Sequence, residues 1–361
     1  MSLIKLKERG REVVNLGRRN LIINGDMKIS QRGTVASLTN GYGGADRFQF
    51  GRSGSAVVTL SKNTDVPTAQ GFTSSQKVDV TTADSSLAAG DYAFLRTKIE
   101  GQNLQHLLYG TSSAKKVTLQ FFVKSSKTGT HIVELYHGDV NYFNSQAYTI
   151  ASANTWQKVT LTFDGYQPSV INNDNGIGFQ IAWWLAAGST YTSGTLSSNT
   201  WHNDAAGRAP GQVNVMDNTA NNFYLTGVQL EVGDTSTDFE HRSFAEELAL
   251  CQRYYVNHGL GSNADAVVSP GRDAQYTHIR GTQVQFPVAM RNAPTVIIQS
   301  GSANSMDRYG RGQETCYPLA EGITTFGFGV VRSRDSGGNN RNWTDNGLYI
   351  NRAGYSAEAE L

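Results

Sequence analysis

Any chemistry done by this 361-residue chain has to come from its histidines, carboxylates and aromatic rings, and their spacing limits what that chemistry is. His-Glu-x-x-His, Gly-x-Ser-x-Gly, a Walker loop and a strand–GxGxxG–helix unit are all missing from the sequence, which removes the common metalloprotease, hydrolase and nucleotide-binding constellations. The seven histidines (106, 131, 137, 202, 241, 258 and 278) are scattered. His131 and His137 share a face of one strand, but no carboxylate pair stands near them, so surface or edge positions are expected rather than a metal site. A pair of acids for glycoside hydrolysis would have to be assembled in space from Glu134, Asp139, Asp174 or Asp204, and no spacing singles out two of them. The Gly-rich pieces at 41–44 and 327–329 have no helix after them to cradle a phosphate. Two cysteines, Cys251 and Cys316, make neither a disulfide framework nor a four-ligand zinc site. The expectation is a protein that binds and does not turn over substrate.

Binding by aromatic faces is the alternative, since flat rings stack on apolar ligand surfaces while amides and hydroxyls supply hydrogen bonds. Five tryptophans are available: 156, 183, 184, 201 and 343. Trp183 alternates with Phe179 and Ile181 and is expected in a core. Trp184 points the other way, with Gln180 and Ala182, where either a ligand or second-face and subunit packing would use it. Trp156 stands with Lys158 and Thr160 on a polar strand face, or caps the core at a strand start. Trp201 lies in a Ser/Thr/Asn-rich stretch (188–204) of the kind that carries contacts. Tyr136 and Tyr142, with Asp139 and Asn141 between them, form a weaker candidate of the same type.

Those rings need a sheet to hold them. Only 17% of residues are charged, and the chain is rich in Gly and aromatic residues, a mixture suited to short strands and turns. Val117, Leu119, Phe121 and Val123 alternate with polar partners, as do Val159, Leu161 and Phe163, and Ile177 through Leu185. Period two over such runs marks strands with one buried face. Turn clusters at 125–129, 164–165 and 172–176 separate them, with no helix between, so an antiparallel sandwich is predicted and not a βαβ fold. One helix is predicted, over 244–256. Ser243 and Glu246 form its capping box, and Phe244, Leu248, Cys251 and Tyr255 share its buried face. Cys251 is then an ordinary packed thiol. Strands resume at 284–288, 295–299, 326–331, 348–351 and in the tail, with a turn at Arg291-Asn292 between Pro287 and Pro294.

Residues 1–19 differ from the rest. Lys5, Lys7, Arg9, Arg11, Arg18 and Arg19 outnumber Glu8 and Glu12, with weak amphipathicity broken at Gly10. Two readings stand: a solvated terminus, or a docking segment that orders on a partner. The whole chain carries a net charge of +1, which gives no field for nucleic acid. The N-terminus has no apolar run long enough for a signal peptide or a membrane span, so synthesis in the cytoplasm and release by lysis are expected.

Particular motifs carry a resemblance. Asn20-Leu-Ile-Ile-Asn-Gly-Asp-Met27, Gln31-Arg-Gly33 and Ala45-Asp-Arg-Phe48 resemble the opening of tailed-bacteriophage tail-fibre and virion proteins that hold a carbohydrate-binding-module-like domain. Pro210-Gly-Gln-Val-Asn214, Asn222-Phe-Tyr-Leu-Thr-Gly-Val-Gln-Leu-Glu-Val-Gly233 and Phe239 through Tyr255 resemble the same proteins, the last most specifically. Gln285 through Thr295 and Ser356-Ala-Glu-Ala-Glu-Leu361 resemble the small β domain that follows. The resemblance implies an all-β chain: a jelly-roll β-sandwich of the galactose-binding kind over 20–240, a connector helix over 241–257 and a second small β-sandwich over 258–361. A short helical docking segment would precede them over 1–19. It also implies residence in the virion, contact with other virion proteins through residues 1–19, a homotrimer, and attachment to host surface polysaccharide. In such jelly rolls the first and last strands run side by side, here Leu21–Ile23 and Val228–Leu230, often near a structural calcium; Asp26 and Glu231 are the matching acids, unless both only hydrogen-bond local backbone. A capsid fibre or decoration protein with a purely structural sandwich is the alternative, and a glycan depolymerase a third.

Overall fold

The computed structural model describes residues 19–258, 270–272, 279–281, 284–300, 305–308, 312–315, 317–328, 330–334, 349–351 and 353–361. The basic segment before Arg19, and with it Trp343, Cys316 and His278, lies outside the described residues. Two compact units emerge: one holds Val35–Gly41 and Phe48–Arg242 together with the chain up to Met27, the other Lys28–Thr34, Tyr42–Arg47 and Ser243–Leu361.

The first unit is an antiparallel sandwich. Its strands are β1 (Val35–Leu38), β2 (Gln49–Ser53), β3 (Val57–Asn63), β4 (Ser75–Thr82), β5 (Tyr92–Glu100), β6 (Val117–Ser125), β7 (Gly129–His137), β8 (Tyr142–Ile150), β9 (Gln157–Phe163), β10 (Ile177–Ala187), β11 (Trp201–His202) and β12 (Asn222–Val232). One sheet has the order β1-β3-β4-β12-β6-β9; the other runs β11-β8-β7-β10-β5-β2. Taken in chain order, β4 to β10 and β12 switch sheets at every step except the β7–β8 hairpin, the topology of an eight-strand jelly roll: β4-β12-β6-β9 faces β5-β10-β7-β8. The alternation at 117–123, 159–163 and 177–185 therefore reads out as β6, β9 and β10. Their inward residues Leu119, Phe121, Phe163, Phe179, Ile181 and Trp183 are buried. Trp183 stands edge-on to Phe121, with centroids 5.6 Å apart, as a core ring.

The terminal segments meet, although Leu21–Ile23 forms no strand and only single backbone bonds join it to the last one. Leu21 N–H donates to the Leu230 carbonyl (3.0 Å) and Val228 N–H to that of Gly25 (2.9 Å). The side chain of Asn20 bridges them, its Nδ2 donating to the Val228 carbonyl and its Oδ1 accepting from Leu230 N–H. His131 and His137, expected at surface or edge, are instead fully buried on the inward face of β7. Their strand alternates inward at 131, 133, 135 and 137, so an imidazole there joins the core. Burial pushes His131 down to about 4 and lowers His137 as well. His131 Nε2 sits 3.1 Å from the Lys127 carbonyl, which fixes the neutral ring with its proton on Nε2.

The second unit opens with α1 (Phe244–Gln252), whose Ser243 Oγ accepts from Glu246 N–H at 3.2 Å, as the capping pattern requires. The helix stops at Gln252, four residues before its predicted end. Tyr255–His258 is a strand, β13, because its backbone pairs with the tail; β14 (Thr295–Ser300) and β15 (Ala353–Glu358) complete a three-stranded sheet in the order β13-β15-β14. The buried line along α1 is Glu247 and Cys251, while Phe244 is 61% exposed, so the helix is rotated from the predicted face. Cys251 is packed as expected, and burial raises its thiol well above the usual range. The strand predicted over 284–288 is cut to Val284–Gln285, since Pro287 has no N–H for a ladder. Val256, Phe286, Met290, Phe328, Tyr355, Ala357 and Ala359 form the core.

Two short loops from early in the chain complete this unit. Gln31 donates from N and Nε2 to the Asp46 carboxylate (2.9 and 2.7 Å) and from Nε2 to the Tyr255 carbonyl. The Arg32 guanidinium lies 3.5 Å over the Tyr255 ring, and that of Arg47 3.4 Å over Tyr254. Both arginines pair with Glu360. Arg291 donates to the carbonyls of Ala359 (2.8 Å) and Glu360 (2.9 Å). The motifs Gln31-Arg-Gly33, Ala45-Asp-Arg47, Arg253-Tyr-Tyr255 and Ala357–Leu361 therefore meet as one buried polar lattice.

Candidate functional site

The side chains of β10 that turn away from the core, Gln180, Ala182 and Trp184, lie on the outer face of their sheet. Cross-strand pairing puts Tyr136 and Lys98 beside Gln180, and Glu134 and Arg96 beside Ala182. Gln49 pairs with Arg96 in turn. Arg96 Nε donates to Gln49 Oε1 (2.7 Å) and its Nη1 to Gln180 Oε1 (3.1 Å), so a row Gln49–Arg96–Gln180 crosses three strands. Tyr136 lies nearly parallel over Phe143, 24° apart at 5.4 Å, and remains half-exposed. A flat phenol beside a row of held amides matches what stacking and hydrogen bonding to a polyhydroxylated ring require.

The other half of this face is shut. Arg208, from the loop after β11, donates to both oxygens of the fully buried Glu134 (2.8 and 2.7 Å). Its guanidinium covers Phe143 at 3.9 Å and Trp184 at 5.1 Å. Burial works against the Arg208 charge, but the Glu134 carboxylate outweighs it and raises the pKa. Trp184 is 1% exposed and packs with Ile132 and Ala209, so its ring has no side open to a ligand. That corrects its place among the glycan-stacking candidates; second-face packing is what it does.

The remaining candidates are dispersed. Trp201 is no loose loop ring: it forms β11, its Nε1 donates to the Asp164 carbonyl (2.7 Å), and it stacks on Phe179. Trp156, on the outer face of the opposite sheet, donates from Nε1 to Asp65 (2.9 Å) beside Lys124. The Lys124 ammonium and that indole outweigh partial desolvation and hold the Asp65 carboxyl below its ordinary value. Tyr142 pairs with His137, on the face opposite to Tyr136, and packs on Tyr166. Asp139 accepts from Asn172 N and Nδ2 (3.1 and 2.6 Å), and Asn141 takes a left-handed φ of 55° in the β7–β8 turn. The 136–142 cluster is thus split: Tyr136 joins the candidate face while Tyr142, Asp139 and Asn141 serve packing and the turn. Of the acids weighed for hydrolysis, Glu134 is tied to Arg208, Asp139 to Asn172, Asp174 to Gly176 N–H and Asp204 to Ala206 N–H.

Of the two acids matched to a structural calcium, Asp26 is buried and Glu231 is taken up by local hydrogen bonds. Glu231 accepts from Thr237 N–H and Gln229 Nε2 on one oxygen (2.8 Å each) and from Thr237 Oγ on the other (2.6 Å). Among the described residues no three His, Cys, Asp or Glu side chains gather to hold a metal ion. Glu231 has the local hydrogen-bonding role. Sequence reading missed Arg96, Gln49 and the polar use of Gln180; the alternation Tyr92, Phe94, Arg96, Lys98 along β5 is the signal that would have found them.

No protein-family model matches the chain, and no curated protein sequence does either. Solved structures do match. The enzymatically active domain of tailspike protein 4 of bacteriophage CBA120 is 13% identical over 59% of this chain and 21% of its own, with a TM-score of 0.32. A putative sugar-binding protein from Bacteroides thetaiotaomicron is 13% identical over 59% of this chain and 99% of its own, TM-score 0.32. The module TmCBM61, solved with β-1,4-galactotriose, is 8% identical over 60% and 99%, TM-score 0.30. This chain spans about a fifth of the tailspike domain's length.

Proposed function

We propose that the chain is a phage virion protein, of a tail fibre, spike or baseplate, whose jelly roll binds a host cell-surface glycan without turning it over. The observation that carries the binding reading is the half-exposed Tyr136 ring beside the Gln49–Arg96–Gln180 row. Tyr136 supplies the stacking surface, and Arg96, Lys98 and Gln180 supply donors and acceptors. The virion reading is supported by the motifs Asn222–Gly233 and Phe239–Tyr255. Glycan-array binding by the wild-type chain, lost in Tyr136→Ala, is the expected result; a wild-type chain silent at high valency overturns it. Release of reducing ends from host polysaccharide would overturn the non-enzymatic part, and sedimentation as a monomer the trimer.

One observation favours the rival reading of a purely structural capsid fibre or decoration protein. Trp156, Trp184 and Trp201 are all engaged within the chain. Antibody-labelled electron microscopy of particles separates head from tail.

A further inference from the structure

The opposite sheet has an outer face of its own, and it holds a cleft. Phe122 on β6 and Lys158 on β9 are cross-strand partners there, next to the pair Gln120–Thr160. Phe72, from the chain before β4, packs edge-on against Phe122 (5.5 Å) and Phe239 (5.0 Å), and His241 closes on both Phe72 and Phe239. The cleft these residues line, with Gln120 at its base and Asp238 and Lys158 at its rim, holds about 200 Å³. Gly227 makes the packing feasible. It sits in a bulge of β12 at φ +61°, and a Cβ there would come within 2.6 Å of the Phe72 ring and 2.8 Å of Phe122.

Gln120 is the decisive residue. It is 1% exposed, it lines the cleft, and its Oε1 has no hydrogen-bond partner. A buried amide oxygen left without a donor loses the hydrogen bond that water gave it in the unfolded chain. A fold that retains that loss at the foot of an aromatic-walled opening has a place for a ligand hydroxyl. A hydroxyl both donates and accepts, so it serves whichever way the amide is turned. An aliphatic side chain from another protein would leave the amide unsatisfied. The rim carries one cation and one anion, which selects a neutral ligand. The volume falls below the roughly 300 Å³ at which drug-sized pockets begin, which selects one ring and not a chain.

We propose that this cleft is a second binding site, for a single neutral pyranose, stacked on the half-buried Phe239 ring, walled by the edges of Phe72 and Phe122, and hydrogen-bonded to Gln120. It lies on the other sheet from Tyr136 and stands without the glycan reading of that face. Titration of the full chain with methyl β-glucoside, methyl β-galactoside and N-acetylglucosamine, read by NMR at the Gln120 side-chain amide and the Phe239 ring, tests it. At least one sugar should shift both signals in the millimolar range. Phe239→Ala, on the rim, and Gln120→Leu, at the base, should each weaken that sugar about three- to tenfold. Tyr136→Ala should leave these shifts unchanged, which separates this site from the first. The proposal is overturned by shifts absent for all three sugars, by a titration midpoint at the Gln120 amide that Phe239→Ala leaves unchanged, or by shifts that follow protein concentration instead of sugar.

Discussion

Each unit of the molecule buries an arginine–glutamate pair, and the two pairs are set in opposite surroundings. In the jelly roll, Glu134 and Arg208 lie on the outside of a sheet whose other face packs Phe, Leu, Val and Trp183 around His131 and His137. In the second unit, Arg47 and Glu360 are 1% and 5% exposed and join loop 42–47 to the C-terminal segment. Breaking a buried pair strands a charge. The jelly roll can relieve that by moving one loop, whereas in the second unit the pair ties loop 42–47 to the tail. The same interaction is a clasp in one unit and a keystone in the other.

Glu360→Ala is the largest test of that difference. It should destabilise the second unit by about 3–5 kcal/mol while jelly-roll protection in hydrogen exchange is unchanged. Equal loss in both units would break the comparison. Acid should do the reverse. His131 is held neutral in the fold with a pKa of about 4, whereas the unfolded ring titrates near 6.5. The unfolded state therefore binds the extra proton first, and stability is intact above about pH 6.5 and lost as pH falls toward 4, by up to roughly 3 kcal/mol. Denaturant melts of His131→Phe across that range should lose this slope. Arg208→Met should cost about 2–3 kcal/mol through the stranded Glu134, and a red-shifted tryptophan emission should report the loop lifting from Trp184. Smallest is Ser243→Ala, about 1 kcal/mol in the second unit alone, read by the same exchange measurement.

Legibility in the sequence followed the range of the interaction. Period-two alternation is local, so β6, β9 and β10 and the opposite faces of Trp183 and Trp184 were readable, but not that Trp184 is as buried as Trp183. The start of α1 was readable for the same reason, because Ser243 caps its own helix. Its end was not: Tyr255 becomes a strand residue only because Glu358 lies opposite it. Position 31 was visible as part of a motif, yet nothing near it says that its amide joins Asp46 to Tyr255. The sites behave likewise. Tyr136 was legible as an aromatic on a strand, but Gln49, Arg96 and Gln180 become a row only when three strands pair. Phe72, Phe122, Phe239 and His241 come from three separated stretches and share no period at all.

The Arg47–Glu360 contact spans 313 residues, and this sets an order of events in the ribosome's product. Loops 28–34 and 42–47 are made early, but Tyr254, Tyr255 and Glu360, which they bind, follow more than two hundred residues later. Until residue 360 appears, Arg47 must stay hydrated and the core it will seal must wait. Closing so long a span adds only slowly to the equilibrium cost, about 0.6 kcal/mol per doubling of length, but contacts this distant in sequence slow the search for them. The second unit is thus timed as well as shaped: a nascent chain that has not reached residue 360 leaves these loops unsealed.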